Sequence, residues 1–441
     1  MTEHPSIRRA YAAAAARDPG ETGFLQALET LYDSLGPCLE EHTQYASAGL
    51  LERLGEPERA ACFPIRWSDS RGQPRQARGY FIQYNTALGP CQGRLMFRPG
   101  LDMAAAKALA LETTLQNSLA GLPLGGGFFG ADISPAAWDA GESLRFCRGF
   151  MEALLPLLPR SFHPVDWTGS VPRRELDLLT GQYERLTALI PCAQSRPLPP
   201  APGAISFPQA VGHGLCALAE TALRQVGLSG LESQTVLISG RDSSALWAGE
   251  RAARMGAQVV ALGDGAGCLY APGGLPLTIL RRMAAQPSLP LLLWAIRSPG
   301  VEYRPGPVLW DIPADAVFLC DSRARLDVEG ARRLLSHRPA SIFEGEPRAC
   351  TTLAARTLAA GAVLYCPAIA AGAGGSLMAF QRQSGACSQW EAARLLRTAM
   401  EDTFRTAWDE SRRLGPGGDL SAGARSAAFR RIADATLAKG L

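Results

Sequence analysis

The sequence predicts an α/β protein of two domains, the second a Rossmann-like, doubly wound domain, followed by C-terminal helices. Three observations carry that expectation. At 441 residues the chain is longer than one ordinary core serves. Beyond residue 203 short apolar runs alternate with helical patterns, the rhythm of a parallel doubly wound sheet. Between the halves lies Pro191 to Gly203, whose Pro-Leu-Pro-Pro-Ala-Pro run is the most linker-like stretch of the chain.

Taken in order, residues 1 to about 60 read as helical. Phe24, Leu28, Leu31, Leu35 and Leu39 recur at three- and four-residue steps, after a break at Asp18-Pro19-Gly20, and form one core-facing stripe. Cys62 to Trp67 and Gly79 to Tyr84 read as strands, the first followed by the polar turn Asp69-Ser70-Arg71-Gly72. A helix from Met103 to Leu119 leads into a loop, Gly121-Leu-Pro-Leu-Gly-Gly-Gly-Phe-Phe-Gly130, whose bare backbone suits the floor of a ligand cleft. Residues 135 to 190 are further helices around an irregular stretch, His163 to Arg174.

Past the linker, Thr235 to Ser239, Gln258 to Leu262, Ala316 to Cys320, Ser341 to Phe343 and Ala362 to Tyr365 read as strands, with a helix from Ser243 to Met255. The last part, Trp390 to Leu441, is helical around the break Gly415-Pro416-Gly417-Gly418. The domains expected are residues 1–200, 201–385 and the C-terminal helices 386–441.

Composition narrows the function classes. Hydrophobic content of 47%, charged content of 19% and a net charge of +3 describe a folded protein with no basic stripe for nucleic acid. Eleven cysteines, an odd number with no CxxC pair, predict free thiols in a reducing compartment and no zinc site. The N-terminus lacks a secretory h-region, and the longest apolar run, near Leu289 to Ile296, is too short for a bilayer. The expectation is a cytoplasmic protein whose partner is a small molecule or another protein.

A dinucleotide fold wants Gly-x-Gly-x-x-Gly/Ala between its first strand and helix. Here the run is Gly240-Arg241-Asp242-Ser243-Ser244-Ala245. Asp242 puts a side chain and a negative charge where phosphates approach. Arg241 offers a compensating cation, while Asp242 also suits a helix N-cap with Ser243 and Ser244 in the first turn. Asp264 sits about where an acidic residue would hold an adenosine ribose, and equally reads as a turn residue among Gly263, Gly265 and Gly267.

Several motifs then occur together. Gly49-Leu-Leu-Glu-Arg-Leu54, Asn85-Thr-Ala-Leu-Gly-Pro90, Gly121-Leu-Pro-Leu-Gly-Gly-Gly127, Gly181-Gln-Tyr183, Pro208-Gln-Ala-Val-Gly-His-Gly214, Ala371-Gly-Ala-Gly-Gly375 and Phe429-Arg-Arg-Ile-Ala-Asp-Ala435 follow one another over nearly the whole chain. In this the protein resembles the hexameric Glu/Leu/Phe/Val dehydrogenases, and among them the NADP-type bacterial glutamate dehydrogenases. The resemblance implies an N-terminal substrate and assembly domain, a Rossmann domain, and C-terminal helices returning to the first domain. It also implies a homohexamer, NADP or NAD as cofactor, and oxidative deamination of L-glutamate in the interdomain cleft.

The same resemblance implies that the polar groups of that cleft are replaced. The two lysines that pair the substrate carboxylates correspond to Gln92 and Gln116, and the catalytic lysine to Phe128 beside Phe129. The proton-transfer aspartate falls at Trp167 or Thr168, with Asp166 one position away as a substitute. The carboxylate-contacting serine corresponds to Ala379, and an asparagine near the nicotinamide to Gly372. No rotamer of phenylalanine performs electrostatic or general-base work.

Three functions follow as expectations. The first is a glutamate dehydrogenase-like protein that has lost its reaction and acts through assembly, ligand sensing or a protein partner. The second is an enzyme acting on a less charged substrate in a pocket of Phe128, Phe129 and Trp167. The third keeps an amino-acid dehydrogenase with Asp166 as proton carrier.

Overall fold

The computed structural model describes residues 4–135, 138–158, 167–168, 171, 173–188, 205–286, 289–322, 324–383, 388–415 and 418–440. Two sheets organise them. The first has the order β1-β2-β4-β3-β5, from β1 (Arg59–Ser68), β2 (Pro74–Asn85), β3 (Cys91–Phe97), β4 (Gly125–Ala131) and β5 (Trp167–Thr168). β1 and β2 form a hairpin closed by Asp69, whose Oδ1 accepts from the backbone N–H groups of Arg71 and Gln73. β4 runs antiparallel to β2 and parallel to β3.

Ahead of this sheet lie short helices, including Thr22–Tyr32 and Gly36–Glu41, over which the predicted stripe of Phe24, Leu28, Leu31, Leu35 and Leu39 is buried. The Met103–Leu119 helix starts where Asp102 accepts from Ala105 N–H at 2.8 Å. It lies on one face of the sheet, and the Ala140–Leu154 helix covers the other with a cluster of aromatic side chains.

The second sheet has the order β12-β11-β10-β6-β7-β8-β9. Its strands are β6 (Thr235–Ser239), β7 (Gln258–Asp264), β8 (Gly267–Tyr270), β9 (Glu302–Pro305), β10 (Ala316–Leu319), β11 (Ser341–Glu344) and β12 (Leu364–Cys366). The strands from β12 through β7 are parallel, consistent with their buried, almost wholly apolar sequences. The expected all-parallel sheet is corrected at one edge, where β7, β8 and β9 pair antiparallel. Gly265 and Ala266 turn the chain straight back at Asp264, so the turn read among these glycines is that of a hairpin.

Of the chain's last two helices, Leu420–Ala438 returns to the Met103–Leu119 helix of the first sheet, and Gln389–Arg413 packs on it and on the Phe207–Gln225 helix. Ser118 Oγ donates to the Ala428 carbonyl at 2.8 Å, and Arg431 donates to the carbonyls of Ser118 and Gly121. Pro191–Gly203, read as the interdomain linker, lies outside the described residues, as do His163 and Asp166. Among the described residues no helix is long and apolar enough to cross a membrane, and no group of three or more His, Cys, Asp or Glu side chains is placed to hold a metal. The nine described cysteines are free thiols, and all but Cys62 are buried.

Candidate functional site

The glycine-rich stretch is a strand, not a loop, and its glycines serve packing. A Cβ on Gly126 would collide with the backbone of Thr114 in the Met103–Leu119 helix, and one on Gly125 with the Asn85 carbonyl. Helix and neighbouring strand therefore press directly on β4, in the space the sequence had left for a ligand. Asn117 ties the same helix to the strand by donating to the Gly125 carbonyl at 2.8 Å.

Strand alternation sorts the candidate residues. Gln92 pairs with Gly126, and Phe128 with Ile82 and Arg94, so Gln92, Arg94 and Phe128 share one face, the one on which the Met103–Leu119 helix lies. Phe129 points the other way and packs among Phe81, Leu95, Phe146 and Phe150. Its expected place in the former substrate pocket is thereby corrected, since consecutive strand residues face opposite sides. The Phe128 ring is fully buried and lies over Gly130, where an added Cβ would stand 2.7 Å from it.

On that face the residues singled out from the sequence are closed over. Gln92 is 0% exposed, and neither of its amide heavy atoms has a hydrogen-bond partner among the described residues. Gln116 reaches across to the other domain, donating to the Gly372 carbonyl at 3.2 Å and to Ser376 Oγ at 3.1 Å. Ala379 is buried in the Gly374–Gln383 helix that carries Ser376. The backbone of Trp167 pairs with Gly93 at the end of the sheet.

Arg94 and Glu346 close the cleft electrostatically. Their side chains, 10% and 16% exposed, meet at 3.1 Å across the boundary between the two sheets. Burial pushes the Glu346 carboxyl up to about 7; Arg94 pulls it down, and Asp242, Glu112 and Asp321 push it further up. The sequence had singled out Arg94 only as an arginine near a motif. Its partner, 252 residues on, left no signal in spacing.

The dinucleotide position is occupied by the protein's own groups. Gly240 carries the positive φ of +117° that such a turn requires. Asp242 is the N-cap of the Ser243–Arg254 helix, its Oδ1 accepting from Ala245 N–H at 2.9 Å. Ser243 and Ser244 fill the first turn. Arg241 is paired with Asp264 at 3.0 Å, and Asp264 also accepts from Ala266 N–H at 2.9 Å within the β7–β8 turn. The helix end, where an anion is ordinarily favoured, therefore carries a carboxylate, with Asp321 and Glu346 acting electrostatically nearby. These residues do not fit a pyrophosphate.

Comparison with known proteins agrees over nearly the whole chain. Residues 203–440 match the family model described as Glutamate/Leucine/Phenylalanine/Valine dehydrogenase, and residues 57–164 match the Glu/Leu/Phe/Val dehydrogenase dimerisation domain. An NADP-specific glutamate dehydrogenase of Salmonella typhimurium is 32% identical, with 96% of each chain covered. One from Escherichia coli is 30% identical at the same coverage. Among solved structures, Plasmodium falciparum glutamate dehydrogenase superposes with a TM-score of 0.89 at 27% identity, covering 99% of this chain and 95% of that one.

Proposed function

The chain belongs to the Glu/Leu/Phe/Val dehydrogenase family, and from that premise we propose that it is a glutamate dehydrogenase-like protein without NAD(P)-dependent glutamate deamination. Its role is then one of assembly, ligand sensing or regulation through a protein partner, in the cytoplasm and as a homo-oligomer, with the hexamer as the form to look for.

The observation that carries this reading is the filled cleft. Phe128 stands fully buried where the resemblance puts the catalytic lysine, and it pairs in register with Arg94, which Glu346 holds. Among the described residues the charged groups brought together there, Arg94 and Glu346, are paired with each other, which leaves no lysine for a substrate carboxylate. The groups at the dinucleotide position weigh against NADP or NAD for the reason given above. The domain division into residues 1–200, 201–385 and 386–441 is part of the same reading.

The test is direct. Purified protein mixed with 2-oxoglutarate, ammonium and NADPH or NADH is expected to show no change in nicotinamide absorbance, and no reduction of NADP or NAD with L-glutamate. Measurable turnover in either direction overturns the reading.

One observation favours a second reading, an enzyme for a less charged substrate. The buried Gln92 amide has a donor and an acceptor unpaired, which suits a neutral polar group better than a carboxylate. That reading requires the nucleotide to bind, so NADPH fluorescence or melting temperature must respond when the two are mixed.

A further inference from the structure

Beside the sealed cleft, the boundary between the two sheets keeps a second gap. A cavity of about 270 Å³ lies between the Thr22–Tyr32 and Met103–Leu119 helices on one side and the segments following β11 and β12 on the other, closed at one end by the start of the Leu420–Ala438 helix. None of Gln92, Gln116, Phe128 or Ala379 lines it. Its case is therefore independent of whether the cleft turns over substrate.

Four arginines line this cavity, Arg325, Arg348, Arg356 and Arg425, of which Arg356 is paired with Asp33 at 3.1 Å. Arg325 is held by the protein, donating to the carbonyls of Arg348 at 2.9 Å and Cys350 at 2.7 Å. Arg425 donates from one nitrogen to Ser34 Oγ at 3.3 Å. Arg348 takes a left-handed backbone at φ 62°, a conformation that costs energy for a residue with a side chain. That turn sets its guanidinium beside Gly23, within 3.6 Å of where a Cβ there would stand.

Acceptors face these donors without being used. The Oε2 of Glu112 is buried and has no hydrogen-bond partner among the described residues, and the same holds for Ser421 Oγ. Both residues line the cavity. The other buried carboxylate there, Glu344, is by contrast satisfied, accepting from the N–H of Cys350, the Tyr365 hydroxyl and the N–H of Ala368. Burial holds the Glu112 carboxyl above its ordinary range, against the pull of Arg348, Arg94, Arg325 and Arg425. A buried acceptor left unmade costs free energy that a donor on a ligand would recover.

We propose that this cavity is a binding site for a small hydroxylated oxyanion, whose carboxylate or phosphate meets Arg348 and Arg425 and whose hydroxyl donates to Glu112. Guanidinium groups take both kinds of head in bidentate fashion. The volume, at the small end of the roughly 300–1,000 Å³ usual for ligand pockets, selects a molecule of a few carbons.

Isothermal titration calorimetry of the full-length protein tests this with L-malate and glycerol 3-phosphate. Succinate, which has two carboxylates and no hydroxyl, is the comparison. Saturable binding of at least one of the first two is expected, about tenfold or more tighter than succinate. Preference for malate identifies a carboxylate head, and preference for glycerol 3-phosphate a phosphate. Arg348→Gln should weaken binding about tenfold, and Glu112→Gln should erase the advantage over succinate. Ser421→Ala removes only a hydroxyl and serves as a second probe should a melt show Arg348→Gln misfolded. Absence of binding by both probes, or unchanged affinity in every folded variant, overturns the proposal.

Discussion

The two gaps on the boundary between the sheets are treated in opposite ways. In the cleft to which the resemblance points stand an apolar ring, two neutral amides and one ion pair, and the walls meet. In the neighbouring cavity four arginines gather around carboxylates of which Glu112 keeps one oxygen without a hydrogen bond, and a hollow remains. The difference teaches that side-chain charge decides which gaps a protein can close. Phe128 gains by leaving water, whereas guanidinium groups brought together lose more by desolvation than contact returns unless each is fully paired.

The strongest way to break the contrast is to put a charge back into the closed gap. Phe128→Lys buries an ammonium in register with Arg94 and should lower stability by about 3–5 kcal/mol in urea unfolding, without creating glutamate dehydrogenase activity. A neutral outcome would mean that the cleft opens readily. Arg94→Met strands Glu346 in the boundary, for an expected loss of about 2–4 kcal/mol measured the same way.

The pH dependence sharpens the comparison further. Burial is the main reason the Glu346 carboxyl is raised from 4.5 to about 7 in the folded protein. The folded state thus binds a proton more tightly than the unfolded chain, and this contribution to stability is complete below about 4.5 and lost as pH rises toward about 7. Unfolding free energy of the wild type should fall across that interval relative to Glu346→Gln, as urea titrations at several pH values would show. The smallest effect belongs to the open gap. Arg348→Gln should change stability by no more than about 0.5 kcal/mol, because among the described residues its guanidinium acts on Glu112 only through space, with no hydrogen bond.

Much of the fold was legible in the sequence because it rests on local rules. The Met103–Leu119 helix has its Asp102 cap, and the strands β6, β7, β10 and β11 are short apolar runs between helices. β4 was misread because its glycines carry no strand signature of their own. Their reason is the closeness of Thr114 and Asn85, which only the folded chain supplies. The hairpin at β8 was hidden likewise, because the glycines that turn it also mark loops. Of the site, the assignment of Gln92, Gln116 and Phe128 to the family's lysine positions rests on motif order. Phe129 was assigned to the wrong face for want of the strand. The pairing of Arg94 with Glu346 and the grouping of Glu112 with Arg325, Arg348 and Arg425 join segments far apart in the chain, and no spacing rule reaches that distance.

The return of the last helix also sets a timetable for synthesis. Ser118 closes its hydrogen bond with Ala428 only after 310 further residues have been made, which at ordinary translation speeds takes roughly 15–60 s. Until then the Met103–Leu119 helix lacks its C-terminal cover, and the nascent first domain presents sticky surface to whatever chaperone or sister chain is near.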